Sequence, residues 1–141
     1  NAIGIEQAKV LASILKEHPT LKSLCGNKGD ETELNIAGSV GKTMGAGGAI
    51  MLAPEIVANG AMTTVNMMGN GIGKDQLSGL QEMMKAHRTL VSLCGIADDT
   101  TAANLSRLGM DADDAVVLAD ELPVKGTITS LDISNNSIAV F

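Results

Sequence analysis

Aromatic side chains are nearly absent from this sequence, which has one Phe, no Tyr and no Trp among its 141 residues. Because 45% of the residues are nevertheless hydrophobic, the core of a single domain has to be built from Leu, Ile, Val, Met and Ala. No apolar run reaches the roughly 18 residues of a membrane span, and no basic and apolar leader opens the sequence. The sequence therefore predicts neither membrane insertion nor a signal peptide.

Basic residues and cysteines are also few. Ten Lys and Arg stand against sixteen Asp and Glu, a formal net charge of −6, so we expect the chain to repel nucleic acids and other polyphosphates. The two cysteines, Cys25 and Cys94, indicate reduced thiols rather than a disulfide framework. This favours a cytoplasmic location, and an organelle stays open as the alternative. We expect no cofactor.

The chain contains a long internal duplication. Residues 1–26 and 70–95 are identical at 13 of 26 positions without a gap, an offset of 69 residues. Further along, residues 44–56 match residues 110–122 at an offset of 66, so the first copy is three residues longer. Such a repeat explains residue identities without any chemistry, and each motif has to be weighed against it.

The glycine-rich stretch at residues 38–48 raises the question of a phosphate-binding loop. Such a loop presents backbone N–H groups at the start of a helix. The P-loop spacing requires glycine at position 36, which is Ile36, and a dinucleotide loop requires Gly or Ala at position 50, which is Ile50. The second copy carries Asp111, Asp113 and Asp114 at the matching positions. Carboxylates would occupy the place of an anion, so we interpret the stretch as a helix start.

A shorter unit lies inside the duplication. Residues 62–89 follow the pattern L-x-x-L-x-L-x-x-N-x-I-G and continue into a helical pattern, and residues 128–138 repeat the first part of that unit. This resembles the leucine-rich repeat family, in the long, helix-containing form of ribonuclease inhibitor and of innate immune receptors. The resemblance implies a right-handed α/β solenoid, with parallel strands on the concave face and helices on the convex face.

The resemblance makes residues 1–141 one fragment of a repeat array. It divides into a helical half-unit at 1–20, units at about 21–61, 62–89 and 90–127, and a partial unit at 128–141. We expect the segments around Leu24, Val65, Leu93 and Leu131 to form one parallel ribbon. The two longer units depart from the pattern, because Gly26 or Gly95 replaces the third aliphatic residue and a second strand-like stretch follows at 31–38 or 101–106. We also expect both ends of the array to be uncapped. Uncapped coils would expose apolar surface at each end.

The residue types of the unit have a physical reason. Aliphatic residues two apart on a strand point to the same side and enter the core. An asparagine after the strand hydrogen-bonds backbone groups of a buried turn, which predicts a structural role for Asn1, Asn70 and Asn136. No unit buries both its strand and its helix alone, so the stability has to come from stacked neighbours.

Two helices are predicted from apolar spacing. Residues 76–85 place Leu77, Leu80 and Met84 on one face, which predicts an amphipathic helix on the convex side. The first copy repeats this face with Val10, Leu11, Ile14 and Leu15. A third helix, around residues 49–57, contains Pro54, which should kink it or delay its start.

Two kinds of reactive cluster are conceivable. His18 with Cys25, and His87 with Cys94, are each seven residues apart, but two ligands per copy are too few for a zinc site. The acidic pairs Asp98/Asp99 and Asp120/Glu121 could act as general acid and base, but we interpret them as solvated charge on a loop and on a helix surface. We also interpret Lys42 and Arg107 as solvated, and we expect no catalytic residue and no metal site.

The predicted function is non-catalytic protein binding or scaffolding through the concave face. Its strands offer no Trp, Tyr or Arg, which predicts modest affinity, or binding supplied by the loops at 27–32 and 96–101. The alternatives are a structural subunit or spacer of a larger assembly and, less favoured, a nucleotide-binding module using residues 38–48. The candidate partner-binding residues are Lys22, Ser23, Thr63, Thr64, Asn66, Val91, Ser92, Thr129, Ser130 and Asp132.

Overall fold

Helices and short strands alternate along the chain in a computed structural model that describes residues 3–38 and 43–138. Within these ranges every strand is three residues long. The last helix continues into a short 3-10 turn at Leu122–Val124. The helices are α1 (Ile5–Glu17), α2 (Gly45–Ala58), α3 (Lys74–Ala86) and α4 (Ala112–Glu121), and the strands are β1 (Glu33–Asn35), β2 (Thr64–Asn66), β3 (Ala102–Asn104) and β4 (Ser130–Asp132).

The strands pair in parallel. β1 pairs with β2, and β3 pairs with β4. A further segment, residues 91–95, runs along the other edge of β2 through isolated bridges from Thr64 to Ser92 and from Asn66 to Cys94. The backbone hydrogen bonds of this joint are Val65 N–H to Ser92 C=O (3.0 Å), Met67 N–H to Leu93 C=O (3.1 Å), Gly95 N–H to Val65 C=O (3.1 Å) and Val91 N–H to Thr63 C=O (2.8 Å).

The strand positions in the two longer units differ from the prediction. Leu24 lies outside any strand, and Leu93 lies in a bridged segment rather than in a ladder. Val65 and Leu131 lie in two separate two-stranded sheets, so the prediction that these four segments form one parallel ribbon is wrong. The strands of the longer units come later, as β1 and β3. The physical reason is the Ser-Leu-Cys-Gly sequence: Gly26 (φ +82°) and Gly95 (φ +75°) adopt the left-handed conformation, which turns the chain out of an extended path.

The four helices contact one another in chain order: α1 with α2, α2 with α3, and α3 with α4. The predicted helix at 76–85 is confirmed within α3, where Leu77 and Leu80 are buried. In α2 the helix begins well before Pro54, so a delayed start was the wrong alternative.

The predicted inner face of α1 is wrong for two of its four residues. Leu11 and Leu15 are half-buried, but Val10 is 60% exposed and Ile14 is 44% exposed, and the buried residues of α1 are Ala8 and Ala12. The chain before α1 also comes close to the start of α2. A Cβ added at Gly47 would lie 2.0 Å from the carbonyl oxygen of Ile3, so only small residues fit where the backbones approach so closely.

The core is aliphatic and sulfur-containing, as the composition predicts. It forms one cluster between the strands and the helices, and its centre is fully buried. Such a core is filled by flexible Met and branched side chains in place of rings. Its most deeply buried members are Ile56, Met62, Val65, Met67, Met68, Leu77, Leu93, Ile96, Met110 and Val117.

Successive turns stack backbone on backbone. A Cβ at Gly38 would lie 1.8 Å from the carbonyl oxygen of Gly69, and a Cβ at Gly69 would lie 1.9 Å from that of Leu108. Gly69 also has φ +76°, a conformation that side chains disfavour. The spacing between neighbouring units therefore depends on glycine at this level.

This stacking predicts opposite effects for two glycine substitutions. Gly69→Ala should lower the free energy of unfolding by more than about 2 kcal/mol, because the new methyl meets backbone in a left-handed turn. The control is Gly79→Ala in α3, which meets no atom within 4 Å. It should raise the stability by about 0.5–1 kcal/mol through helix propensity. Urea unfolding measures both, and equal effects would contradict the stacked turns.

Candidate functional site

The outward side of the strands forms a polar face. In β1, β3 and β4 the first and third residues are exposed and the middle residue is half-buried. The register places Asn35 beside Asn66 and Asn104 beside Asp132. The face therefore presents amide and carboxylate side chains at the end of every strand.

These Asn and Asp residues also shape the chain, because each accepts a hydrogen bond from the backbone N–H two residues later. Sequence reasoning missed Asn35 and Asn104. The available signal was a single Asn or Asp between two aliphatic or alanine residues in LNI, VNM, ANL and LDI. The bonds join Asn35 to Ala37 (3.2 Å), Asn66 to Met68 (3.2 Å), Asn104 to Ser106 (2.9 Å) and Asp132 to Ser134 (2.9 Å).

The predicted partner-binding residues do not all reach the surface. Lys22, Thr63, Thr129, Ser130 and Asp132 are exposed, and Ser23, Asn66 and Val91 are half-buried. Thr64 is 5% exposed and Ser92 is fully buried, so the prediction that these two face outward is wrong. The cause is the segment at 91–95, which covers the edge of β2 and turns its own serine towards α4.

Ser92 and Glu121 form a buried pair. The Ser92 hydroxyl donates to Glu121 Oε1 (2.6 Å) and accepts from the N–H groups of Cys94 (3.0 Å) and Ile96 (2.9 Å). Glu121 Oε2 accepts from the Leu93 N–H (2.8 Å). Glu121 is only 4% exposed, so its interpretation as a solvated surface charge is wrong. Burial raises the pKa of Glu121, and its hydrogen bonds oppose that rise.

The first copy repeats this pair with Ser23 and Glu55. The Ser23 hydroxyl donates to Glu55 Oε1, Asn27 Nδ2 donates to the same oxygen (3.1 Å), and the Leu24 N–H donates to Oε2 (3.1 Å). Sequence reasoning did not single out Glu55. The signal was a glutamate at the same position of both apolar helices, following a serine at the same position of both Ser-Leu-Cys-Gly turns.

Both serine–glutamate pairs bond the backbone of a turn. Within the described residues neither serine hydrogen-bonds a histidine, and His87 is engaged elsewhere: Nε2 lies 2.9 Å from the Ile56 carbonyl oxygen and 3.0 Å from that of Asn59. Its Nδ1 accepts from the Leu90 N–H (3.0 Å). Over 3–38 and 43–138, no three His, Cys, Asp or Glu side chains cluster as metal ligands.

The two cysteines are free thiols in different settings. Cys25 is exposed and Cys94 is buried. Partial desolvation, followed by the hydrogen bond and negative charge of Glu55, raises the pKa of Cys25 to about 12. Burial, followed by the charge of Glu121, raises the pKa of Cys94 as well. Both thiols are therefore protonated and poorly nucleophilic near neutral pH.

The helix start at Gly45 is already occupied by protein atoms. The Met44 N–H donates to Asn70 Oδ1 (3.0 Å), and the Gly45 N–H donates to the Asn70 carbonyl oxygen (2.8 Å). These are N–H groups that a phosphate would need. Residues 39–42, including Lys42, lie outside the described residues.

The matching helix start in the second copy is capped by its own aspartates. Asp111 Oδ1 accepts from the Asp114 N–H (3.0 Å), and Asp114 Oδ2 accepts from the N–H groups of Asp111 (3.1 Å) and Gly69 (3.1 Å). Asp114 is 1% exposed, and its Oδ1 has no hydrogen-bond partner among the described residues. Burial accordingly raises the pKa of Asp114.

The turn asparagines bond the preceding unit. Asn70 Nδ2 donates to the carbonyl oxygens of Ile36 (2.8 Å) and Met67 (3.0 Å). Asn136 Nδ2 donates to that of Leu105 (2.8 Å), and its Oδ1 accepts from Met110 N–H (3.0 Å). Asn1 lies outside the described residues.

The loop at 96–101 is held by a buried lysine that sequence reasoning missed. Lys125, 3% exposed, donates through Nζ to the Val91 carbonyl oxygen (2.9 Å) and to Asp98 Oδ1 (2.9 Å). Asp98 is thus paired as well as exposed, whereas Asp99 and Arg107 are exposed as expected. The loop is anchored beside the strand face.

No family model, curated protein or solved structure matches this chain. Within the described residues, no helix has the length and apolar character needed to cross a membrane.

The serine pairs predict unequal costs of truncation. Ser92→Ala should lower the free energy of unfolding by about 2–4 kcal/mol, because it leaves two buried N–H groups and one oxygen of a buried carboxylate without a partner. Ser23→Ala is the matched control, and water should replace its half-buried hydroxyl at a cost of about 1 kcal/mol. Urea unfolding of both variants measures the two losses of unfolding free energy. Equal losses would contradict the buried role of Ser92.

The Cys25 environment predicts slow alkylation of an exposed thiol. With a pKa raised to about 12, the rate of iodoacetamide labelling should still be rising about tenfold per pH unit between neutral pH and pH 10. Glu55→Gln removes the negative charge and should speed labelling at pH 8. Mass spectrometry locates the label, with buried Cys94 as the internal control. A rate that levels off near pH 9 would contradict the raised pKa.

Proposed function

We propose that this chain is a non-catalytic protein-binding or scaffold module, built as a fragment of a leucine-rich-repeat-like α/β solenoid. The observation that carries the proposal is the bonding of each unit to the one before it. Asn70 and Asn136 reach back to Ile36 and Leu105, which stand 69 residues apart just as the two copies do. Parallel strands and helices in contact in chain order support the same arrangement.

The proposed binding surface is the exposed part of the strand face. Its contacting groups are hydroxyls, amides and carboxylates, which suit a polar partner surface that hydrogen-bonds along the strands. Glu33 and Asp132 are exposed on this face, and the chain carries a net charge of −6, so a partner with basic side chains fits better than a nucleic acid. The free thiols are consistent with a cytoplasmic setting.

A structural spacer is the second candidate. Two observations favour it. The buried pairs, the helix caps and the anchored loop all stabilise the fold itself, and the remaining surface of the described residues has no aromatic side chain that could anchor a partner. A spacer would use its ends rather than its strand face. Nucleotide binding through residues 38–48 has less support, because the N–H groups of Met44 and Gly45 are already bonded.

The experiment compares two surfaces with equal charge changes. The strand-face variant carries Thr63→Arg and Ser130→Arg, and the helix-face control carries Ser78→Arg and Ala119→Arg, all at exposed positions. Proteins captured by the tagged chain are quantified by mass spectrometry. We expect a specific partner to fall at least about tenfold with the strand-face variant only. A spacer predicts equal capture by both variants, and calorimetry with magnesium and ATP tests the nucleotide alternative.

A further inference from the structure

The duplication makes it possible to compare each residue at one end of the described chain with an equivalent residue in its middle. On the last strand and its flanks lie Ile128, Leu131 and Ile133. Their equivalents at an offset of 66 are Met62, Val65 and Met67, which are 1%, 0% and 0% exposed. Ile133, in contrast, is 41% exposed, and Ile128 and Leu131 are half-buried. This end therefore presents an apolar row that the middle of the chain covers.

The opposite end presents the other half of the same contact. Leu24 is half-buried and Cys25 is exposed, while their equivalents Leu93 and Cys94 are 0% and 1% exposed. A cavity of about 350 Å³ opens here, where the second copy has closed core. Its apolar lining includes Leu24, Leu34, Ile36, Met44 and Leu52.

The backbone groups of the two ends are complementary. In the middle of the chain, β2 is joined to residues 91–95 by the four hydrogen bonds given above. The equivalents of β2 and of residues 91–95 are β4 and residues 22–26. Among the described residues the matching groups have no backbone partner: the N–H groups of Lys22, Gly26, Leu131 and Ile133, and the carbonyl oxygens of Ser23, Leu24, Thr129 and Leu131.

A histidine completes the match. His87 bonds the carbonyl oxygens of Ile56 and Asn59, at the end of the preceding helix, through Nε2. His18 is equivalent to His87, and its Nδ1 makes the same local bond, to the Leu21 N–H (3.0 Å). The equivalents of Ile56 and Asn59 are Leu122 and Lys125. A second copy placed at the C-terminal end would bring His18 Nε2 to these two carbonyl groups.

We propose that a second copy of this chain docks head to tail, with residues 18–26 of one copy against residues 122–133 of the other. The joint repeats the contact between β2 and residues 91–95, including its apolar row. It depends on the stacked arrangement of the proposed function but not on the strand face. Failure of the joint and failure of partner binding are therefore seen in different experiments.

The duplication also limits the joint. Residues 1–3 and 136–138 both read Asn-x-Ile and occupy the same position of the repeat. Only one such segment fits each joint. Because Asn136 is already bonded to its own copy, docking requires residues 1–3 of the incoming copy to leave this position. Because the two surfaces differ, the association is heterologous and stays open at both ends, which gives oligomers beyond a dimer.

The test is sedimentation velocity of the 141-residue chain, with reductant present to exclude a disulfide through Cys25. We expect the mean mass to rise with concentration past that of a dimer. Cys25→Lys blocks one end and Ile133→Lys blocks the other, at exposed sites whose equivalents Cys94 and Met67 are 1% and 0% exposed. Each variant alone should associate at least about tenfold more weakly, because the joint would bury a charge. An equimolar mixture should form a heterodimer and nothing larger, because one intact joint remains.

The control is Val10→Lys, which is 60% exposed on α1 and equivalent to the exposed Gly79. It adds the same charge outside the joint and should leave the association unchanged. Circular dichroism verifies that each variant keeps its helices. The proposal is overturned by a chain that stays monomeric to about 1 mM. It is also overturned by association that stops at a dimer, by a mixture that does not dimerise, or by an equal loss with Val10→Lys.

Discussion

The structure depends on one requirement, which is that buried backbone N–H and C=O groups have hydrogen-bond partners. Strands of three residues make few ladder bonds, and the turn that follows β2 is fully buried from Met67 to Asn70. A buried N–H or C=O without a partner costs about 1–3 kcal/mol. Asn70 and Asn136 supply those partners across the boundary between units. The same side chains that satisfy a turn therefore also fix the spacing of its neighbour.

The buried carboxylates follow from the same requirement. The Ser-Leu-Cys-Gly turns expose N–H groups towards the helix that comes next, and Glu55 and Glu121 accept from them. Burial opposes the ionisation of Glu121. Its hydrogen bonds therefore offset the cost of desolvating the carboxylate and do not add net stability. A charge of this kind specifies how a turn docks, because an alternative packing would leave the carboxylate unbonded.

The sequence predicts the elements better than their positions. Periodicity identifies α3, and the asparagine pattern identifies the turns, because both reflect local geometry. The strand-like stretches at 31–38 and 101–106 contain β1 and β3, but the sequence left open how these stretches and LKSLCG or LVSLCG share the longer units. The positive φ of Gly26 and Gly95 turns the chain before the strand begins. The burial of Ser92 was missed for a related reason. Its partner Glu121 is 29 residues away, and spacing alone does not reveal such a contact.

The two copies share one contact at the helix starts and differ in another. In both copies the turn asparagine of the next unit, Asn70 or Asn136, accepts from the N–H before the helix through its Oδ1. In the first copy the Asn70 carbonyl oxygen also accepts from the Gly45 N–H, whereas in the second copy Asp111 and Asp114 cap α4 from within and Asp114 also bonds Gly69. Neither arrangement leaves the bonded N–H groups free for an anion. The duplication has therefore preserved contacts between units, and the copies differ at these sites in how each contact is made.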